Sequence, residues 1–150
     1  MKYFKIFETD ELILGITLKK ELVIETNNRI ELINSSQKYI YILPILYQPI
    51  DEFIFLLEEK IFNSNETNIT IELVKSLVIY NFIAKIFSNK DISSYWIELA
   101  FNWFKEFPMQ EKEKCIKELN RIIKNKKYSQ TLRYKVKKEL NDIKSVKLHD

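Results

Sequence analysis

The residues best suited to act as general acids or metal ligands are two pairs of adjacent carboxylates, Asp51-Glu52 and Glu58-Glu59. Adjacent side chains on a helix diverge by about 100°, so neither pair converges on one substrate atom without help from elsewhere in the chain. A helix N-terminus and a solvated helix surface account for them without catalysis. Histidine, cysteine and glycine each occur once, as His149, Cys115 and Gly15. This inventory excludes a histidine-based triad, an HExxH motif, a Gly-rich phosphate loop and a Rossmann fingerprint. It also excludes an intramolecular disulfide and a cysteine-based zinc site. His149 stands beside the C-terminus, where chains fray, and is a poor base or ligand. The residues therefore predict a protein that is not an enzyme, with no catalytic residue, metal ligand or cofactor site.

The elements that carry these residues change character near Pro49. Asn27-Asn28 separates two β-prone runs in ELVIETNNRIELIN, and Asn tolerates the positive φ angles of a two-residue hairpin loop. Leu12, Leu14, Ile16 and Leu18 alternate with Ile13, Gly15 and Thr17, and KYIYILPILY is rich in Tyr and Ile. Residues 1–47 are read as strands, the last at an edge or bent at Pro44, which cannot donate to a ladder. Gly15 marks a bulge or a close backbone approach.

After Pro49 the spacing becomes helical, with Asp51 and Glu52 opposing the positive end of the first helix dipole. Ile50, Phe53, Ile54, Leu57 and Ile61 define its apolar face. A second, central helix is expected from Asn68–Thr70 to about Phe87, and a third over about Ile92–Phe107 with Trp96, Ala100, Trp103 and Phe107 on one face. Pro108 ends the third. A fourth helix from about Met109 to Asn125 buries Ile116, Leu119, Ile122 and Ile123, with Cys115 on the edge of its apolar arc as a core thiol. Ser129 caps the fifth, whose stripe is Tyr128, Leu132, Val136, Leu140 and Ile143. The predicted fold is a single helix-dominated α+β domain, with a strand-rich part over 1–47 and about five helices over 48–150. An all-α helical repeat is the alternative.

The apolar window Ile69–Phe87 has Glu72, Lys75, Asn81 and Lys85 spread through it, which argues for a soluble core helix and against a membrane span. The N-terminal stretch has no h-region or cleavage site, so the expected compartment is the cytoplasm. The sequons at Asn65 and Asn68 are accidents of an Asn-rich composition on this reading.

The most cationic stretch, NKKYSQTLRYKVKKEL, lies in residues 111–150, which hold thirteen Lys or Arg against six Asp or Glu. Residues 1–110 hold eleven against fifteen. At 100° per residue Arg133, Lys137 and Lys144 point one way and Lys135 and Lys138 another, so charge covers the whole polar face. No stacking platform, helix-turn-helix glycine or Arg-rich base-reading stripe accompanies it, which favours a solvated face over nucleic-acid binding.

The segments SSYWIELAFNWFKEF and EKCIKELNRIIKNKKYSQTLRYKVKKEL, over roughly residues 92–145, resemble the antiparallel helix pairs of HEAT-like repeats. Short Lys- and Ile-rich proteins of this type look like immunity proteins of polymorphic or contact-dependent bacterial toxin systems. The resemblance implies a cytoplasmic protein that does no chemistry and neutralises one cognate toxin domain by occluding its active site. Many such toxin domains are nucleases with cationic clefts, for which the acidic part of the chain is the complement. Residues 1–72 carry twelve acids against seven bases, and Asp51, Glu52, Glu58 and Glu59 are the expected partner-binding residues. A nucleic-acid-associated or regulatory protein using the basic C-terminal helices is the leading alternative function, and a carboxylate-dependent enzyme is the third reading.

Overall fold

The structure, a computed structural model, describes residues 1–35, 38–66 and 68–149; Thr67 of the first sequon and the side chain of His149 lie outside the described residues. The fold is helix-dominated α+β, with a four-stranded antiparallel sheet followed by seven α-helices among the described residues. Its contacts cluster into two compact units, Met1–Phe82 and Ile83–Asp150.

In the first unit, β1 (Tyr3–Glu8), β2 (Ile13–Thr17), β3 (Leu22–Thr26) and β4 (Arg29–Leu32) form a meander in sequence order. Leu14, Ile16, Val23 and Ile24 are buried in its middle. Asn27 and Asn28 have φ of 46° and 67°, and Thr26 pairs with Arg29 across them. This is the predicted two-residue hairpin, whose twist suits the flanking strands because both loop residues occupy the left-handed region.

Gly15 meets the close-approach expectation. It pairs with Lys5, the β1–β2 register shifts between Lys5 and Phe7, and the Tyr3 ring lies where a Cβ of residue 15 would stand. The Tyr3 hydroxyl donates to the Glu25 carboxylate, which holds the ring across β2. Gly15→Val should therefore cost about 1–3 kcal/mol, the usual range for overpacking, because ring and hydrogen bond must yield together. An unchanged thermal melt would contradict this placement, and Tyr3→Ala in the same chain should recover part of the loss.

The strand reading fails over Lys38–Tyr47, which forms a 3₁₀ helix. From Tyr41 onward its burial has a period of three: Tyr41, Pro44 and Tyr47 are exposed, while Ile42, Leu43, Ile45 and Leu46 are buried; in the turn before, Tyr39 is buried and Ile40 exposed. Side chains three apart eclipse in a 3₁₀ helix, so this spacing gives one wet edge and one dry face. Pro44 removes a donor that a ladder needs, and the Tyr and Ile content that favours a strand is overridden.

The five expected helices are all present, two of them divided. Helix α1 (Ile50–Phe62) starts one residue after Pro49, whose carbonyl accepts from Phe53 N at 3.1 Å. Phe53 and Leu57 face inward, Phe53 edge-on to Phe7 at 5.1 Å. The second helix is capped by Thr70, which accepts from Leu73 N at 3.1 Å, and runs as α2 (Ile71–Lys75), a π-helical segment Ser76–Tyr80 and α3 (Asn81–Ser88). Val74, Val78, Ile79, Phe82, Ile83, Ile86 and Phe87 are buried along it, as expected of a central helix.

In the second unit, α4 (Ser94–Phe104) buries Ile97, Ala100, Phe101, Trp103 and Phe104. Phe104 gathers Phe87, Phe101 and Phe107 at centroid distances of 5.5, 6.2 and 5.4 Å. The fourth predicted helix divides at Cys115 into α5 (Met109–Glu113) and α6 (Ile116–Lys124). There Cys115 N donates to Lys112 O, a three-residue step, before Leu119 N resumes the four-residue pattern on Cys115 O. Helix α7 (Gln130–His149) is capped by Ser129 Oγ, which accepts from Leu132 N at 3.1 Å, and packs on α6. All five residues of its predicted stripe are buried.

Candidate partner-binding surface

Asp51, Glu52, Glu58 and Glu59 all lie on α1, and all are exposed. Phe53 and Leu57 fix the inward direction of this helix. At about 100° per residue the opposite direction runs through Phe55, Glu59 and Phe62, with Asp51 and Glu58 to one side and Glu52 to the other. The four carboxylates therefore share the outward half of the helix, although neighbours within each pair diverge. Glu58 is 4.0 Å from Lys75, and among the described residues no Lys or Arg lies within ion-pair distance of Asp51, Glu52 or Glu59. Asp51 and Glu52 stand in the first turn, where the helix dipole favours negative charge.

The sequence reading missed the aromatic part of this surface. Phe55 is 62% exposed and Phe62 88% exposed. With Ile61, Ile71, Glu58 and Glu59 they line an open cleft of about 460 Å³. The signal was in FIFLLEEKIF, where seven of ten residues are apolar, more than a single buried face of one helix accommodates. A second acidic groove, of about 890 Å³, is lined by Glu8, Asp10, Glu11 and Glu25 beside Tyr41 and Pro44. These residues contribute to the negative balance of the first unit, twelve acids against eight bases; the second unit holds sixteen bases against nine acids.

Several cations of the second unit are tied into its own fold. Arg121 donates to Phe87 O and Lys127 to Lys90 O, both at 3.0 Å, and Lys112 joins Glu139 at 2.7 Å between α5 and α7. The first two meet backbone carbonyls at and just beyond the end of α3, where positive charge is favourable.

Among the described residues no group of three or more His, Cys, Asp or Glu is placed to hold a metal ion. Among the described residues no single helix is long and apolar enough to cross a membrane; the 3₁₀ helix and α1 are so only in combination, and they meet at 107°. Cys115 is buried, 2% exposed, and burial, with Glu118 and Glu111 adding and Lys114 opposing, pushes its thiol from 9.0 up to about 12. Between those values the unfolded chain releases a proton that the folded chain keeps. The folded state should thus be fully favoured below about pH 9 and lose stability as pH rises towards 12. Burial raises Tyr39 and Tyr128 as well, which adds to the loss at the alkaline end. Urea unfolding at about pH 8 and pH 10.5 should show a smaller decline for Cys115→Ala than for the parent chain, and a thiol reagent should label Cys115 only in denaturant. Rapid labelling of the native protein would contradict the core assignment.

No family model, curated protein or solved structure matches this chain.

Proposed function

We propose that this chain is an immunity protein that binds one cognate bacterial toxin domain, a nuclease with a cationic substrate cleft, and occludes its active site through the outward face of α1. The observation that carries the reading is the exposure of Asp51, Glu52, Glu58 and Glu59 on one helix face around two exposed phenylalanines. Carboxylates held on a regular helix present a fixed pattern of negative charge, which speeds encounter with a basic surface and rejects anionic competitors. The acidic balance of the whole first unit extends that field beyond α1. Inhibition by occlusion requires no nucleophile, base or metal in the inhibitor, only a stable scaffold and a complementary surface.

The test is co-expression with a toxin domain encoded beside this chain. Cells carrying both should grow, the two proteins should copurify, and the nuclease should regain activity when the complex is dissociated. Growth arrest despite full expression of the folded protein would overturn the proposal. Copurification of RNA or DNA with the chain alone, with affinity falling steeply in salt, would instead assign function to the basic helices.

A further inference from the structure

Resting on that reading of α1, the cleft beside its carboxylates indicates what the partner presents. We infer that the occupant is a cationic protein segment with a bulky apolar side chain set between basic residues. The apolar group seats between Phe55 and Phe62 and the flanking cations meet the surrounding carboxylates.

Single exposed apolar side chains are ordinary on protein surfaces. Phe55 and Phe62 differ because they are seven residues apart on one helix, therefore on the same side two turns apart, and share a concavity with Ile61 and Ile71. Exposed aromatics in a recess, with a polar rim that excludes water, are the physical form of an interface hot spot. Here the charged residues that line the cleft are both acidic, with Lys75 outside the lining at 4.0 Å from Glu58. Glu58 and Glu59 line the cleft itself, and Asp51 and Glu52 extend the negative charge along the helix.

That rim selects among occupants. An anionic lipid surface or a nucleic acid would meet four carboxylates at the moment its own charge was desolvated, an unfavourable approach. Bilayer burial of α1 would also place those carboxylates in hydrocarbon. A neutral apolar ligand gains nothing from the acids. A basic segment with a central aromatic or large aliphatic residue uses both parts, the recess for affinity and the rim for register and rate.

The experiment uses the full chain and three nine-residue synthetic peptides: a central Trp flanked by lysines, the same peptide with Ser replacing Trp, and the Trp flanked by glutamates. Amide shifts in ¹H–¹⁵N spectra locate binding, and titration gives affinities. The Lys–Trp peptide should shift amides of α1 and Ile71 and bind at least about thirtyfold more tightly than the Lys–Ser peptide, a gain of hot-spot size. Phe55→Ala and Phe62→Ala should each remove most of that gain while leaving the melting temperature and the Lys–Ser affinity unchanged, since both side chains are solvent-exposed. The Glu–Trp peptide should leave α1 unshifted. Equal affinity of the two lysine peptides at α1 would overturn the apolar anchor while leaving the charge-based reading intact. If neither lysine peptide perturbs α1, the reading of the face fails with it. A concentration-dependent dimer abolished by Phe62→Ala would make a second copy of this chain the occupant and overturn the inference.

Discussion

Trp103→Ala should destabilise the protein by about 3–5 kcal/mol, the range for truncating a fully buried large aromatic. Trp103 is 3% exposed on α4, in the helix that also supplies Phe101 and Phe104 to the aromatic cluster of the second unit. A buried indole removes roughly 150–250 Å² from water, and its loss leaves a cavity that packed neighbours fill only in part. Urea unfolding of the purified variant measures the effect, with Trp103→Phe as a companion that retains much of the volume if the alanine variant does not fold. A cost below about 1 kcal/mol would place the indole at the surface.

Reversing Asp51, Glu52, Glu58 and Glu59 to lysine should abolish protection in the co-expression assay and slow association by about 10- to 1,000-fold at low salt, the range for electrostatic steering. The substitution turns the first unit from net negative to net positive and places repulsion where the partner approaches. Asp51 and Glu52 also favour the start of α1, each by roughly 0.3–1 kcal/mol, so the melting temperature should fall modestly without loss of fold. The Asn and Gln versions, which delete charge without reversing it, should give an intermediate association rate. Reversal of Lys126, Lys127, Lys137 and Lys138 should leave protection intact. The opposite pattern, with the basic set essential and the acidic set dispensable, would assign an anionic partner surface.

The fold was legible wherever one physical cause dominated. Asn27-Asn28 announced the hairpin because few residue pairs accept two consecutive positive φ angles. Ser129 announced α7 because its hydroxyl meets an amide that would otherwise lack a partner. The stretch Lys38–Tyr47 misled because Tyr and Ile favour strands on average, while its period-three pattern around Tyr41, Pro44 and Tyr47 was the decisive feature. Division of the fourth helix at Cys115 has no breaker residue to mark it, since neither Gly nor Pro is present there. Of the candidate surface, the acids were visible from their local density in α1. Phe55 and Phe62 fall outside the predicted apolar face of Ile50, Phe53, Ile54, Leu57 and Ile61; the surplus of apolar residues in FIFLLEEKIF was their signal in the sequence, and the buried positions of Phe53 and Leu57 fix the direction in which they point.

Carboxyl footprinting of the complex decides whether the partner sits on the outward face of α1. Carbodiimide coupling of a small amine, read by mass spectrometry with and without the toxin domain, reports solvent access at each Asp and Glu side chain. Strong protection is expected at Asp51, Glu52, Glu58 and Glu59, all exposed in the free chain, with unchanged labelling at Glu98 and Glu106 on and just beyond α4. Unaltered labelling of the four α1 carboxylates in a stable, inhibited complex, with protection at Glu98 and Glu106 instead, would contradict that placement of the partner.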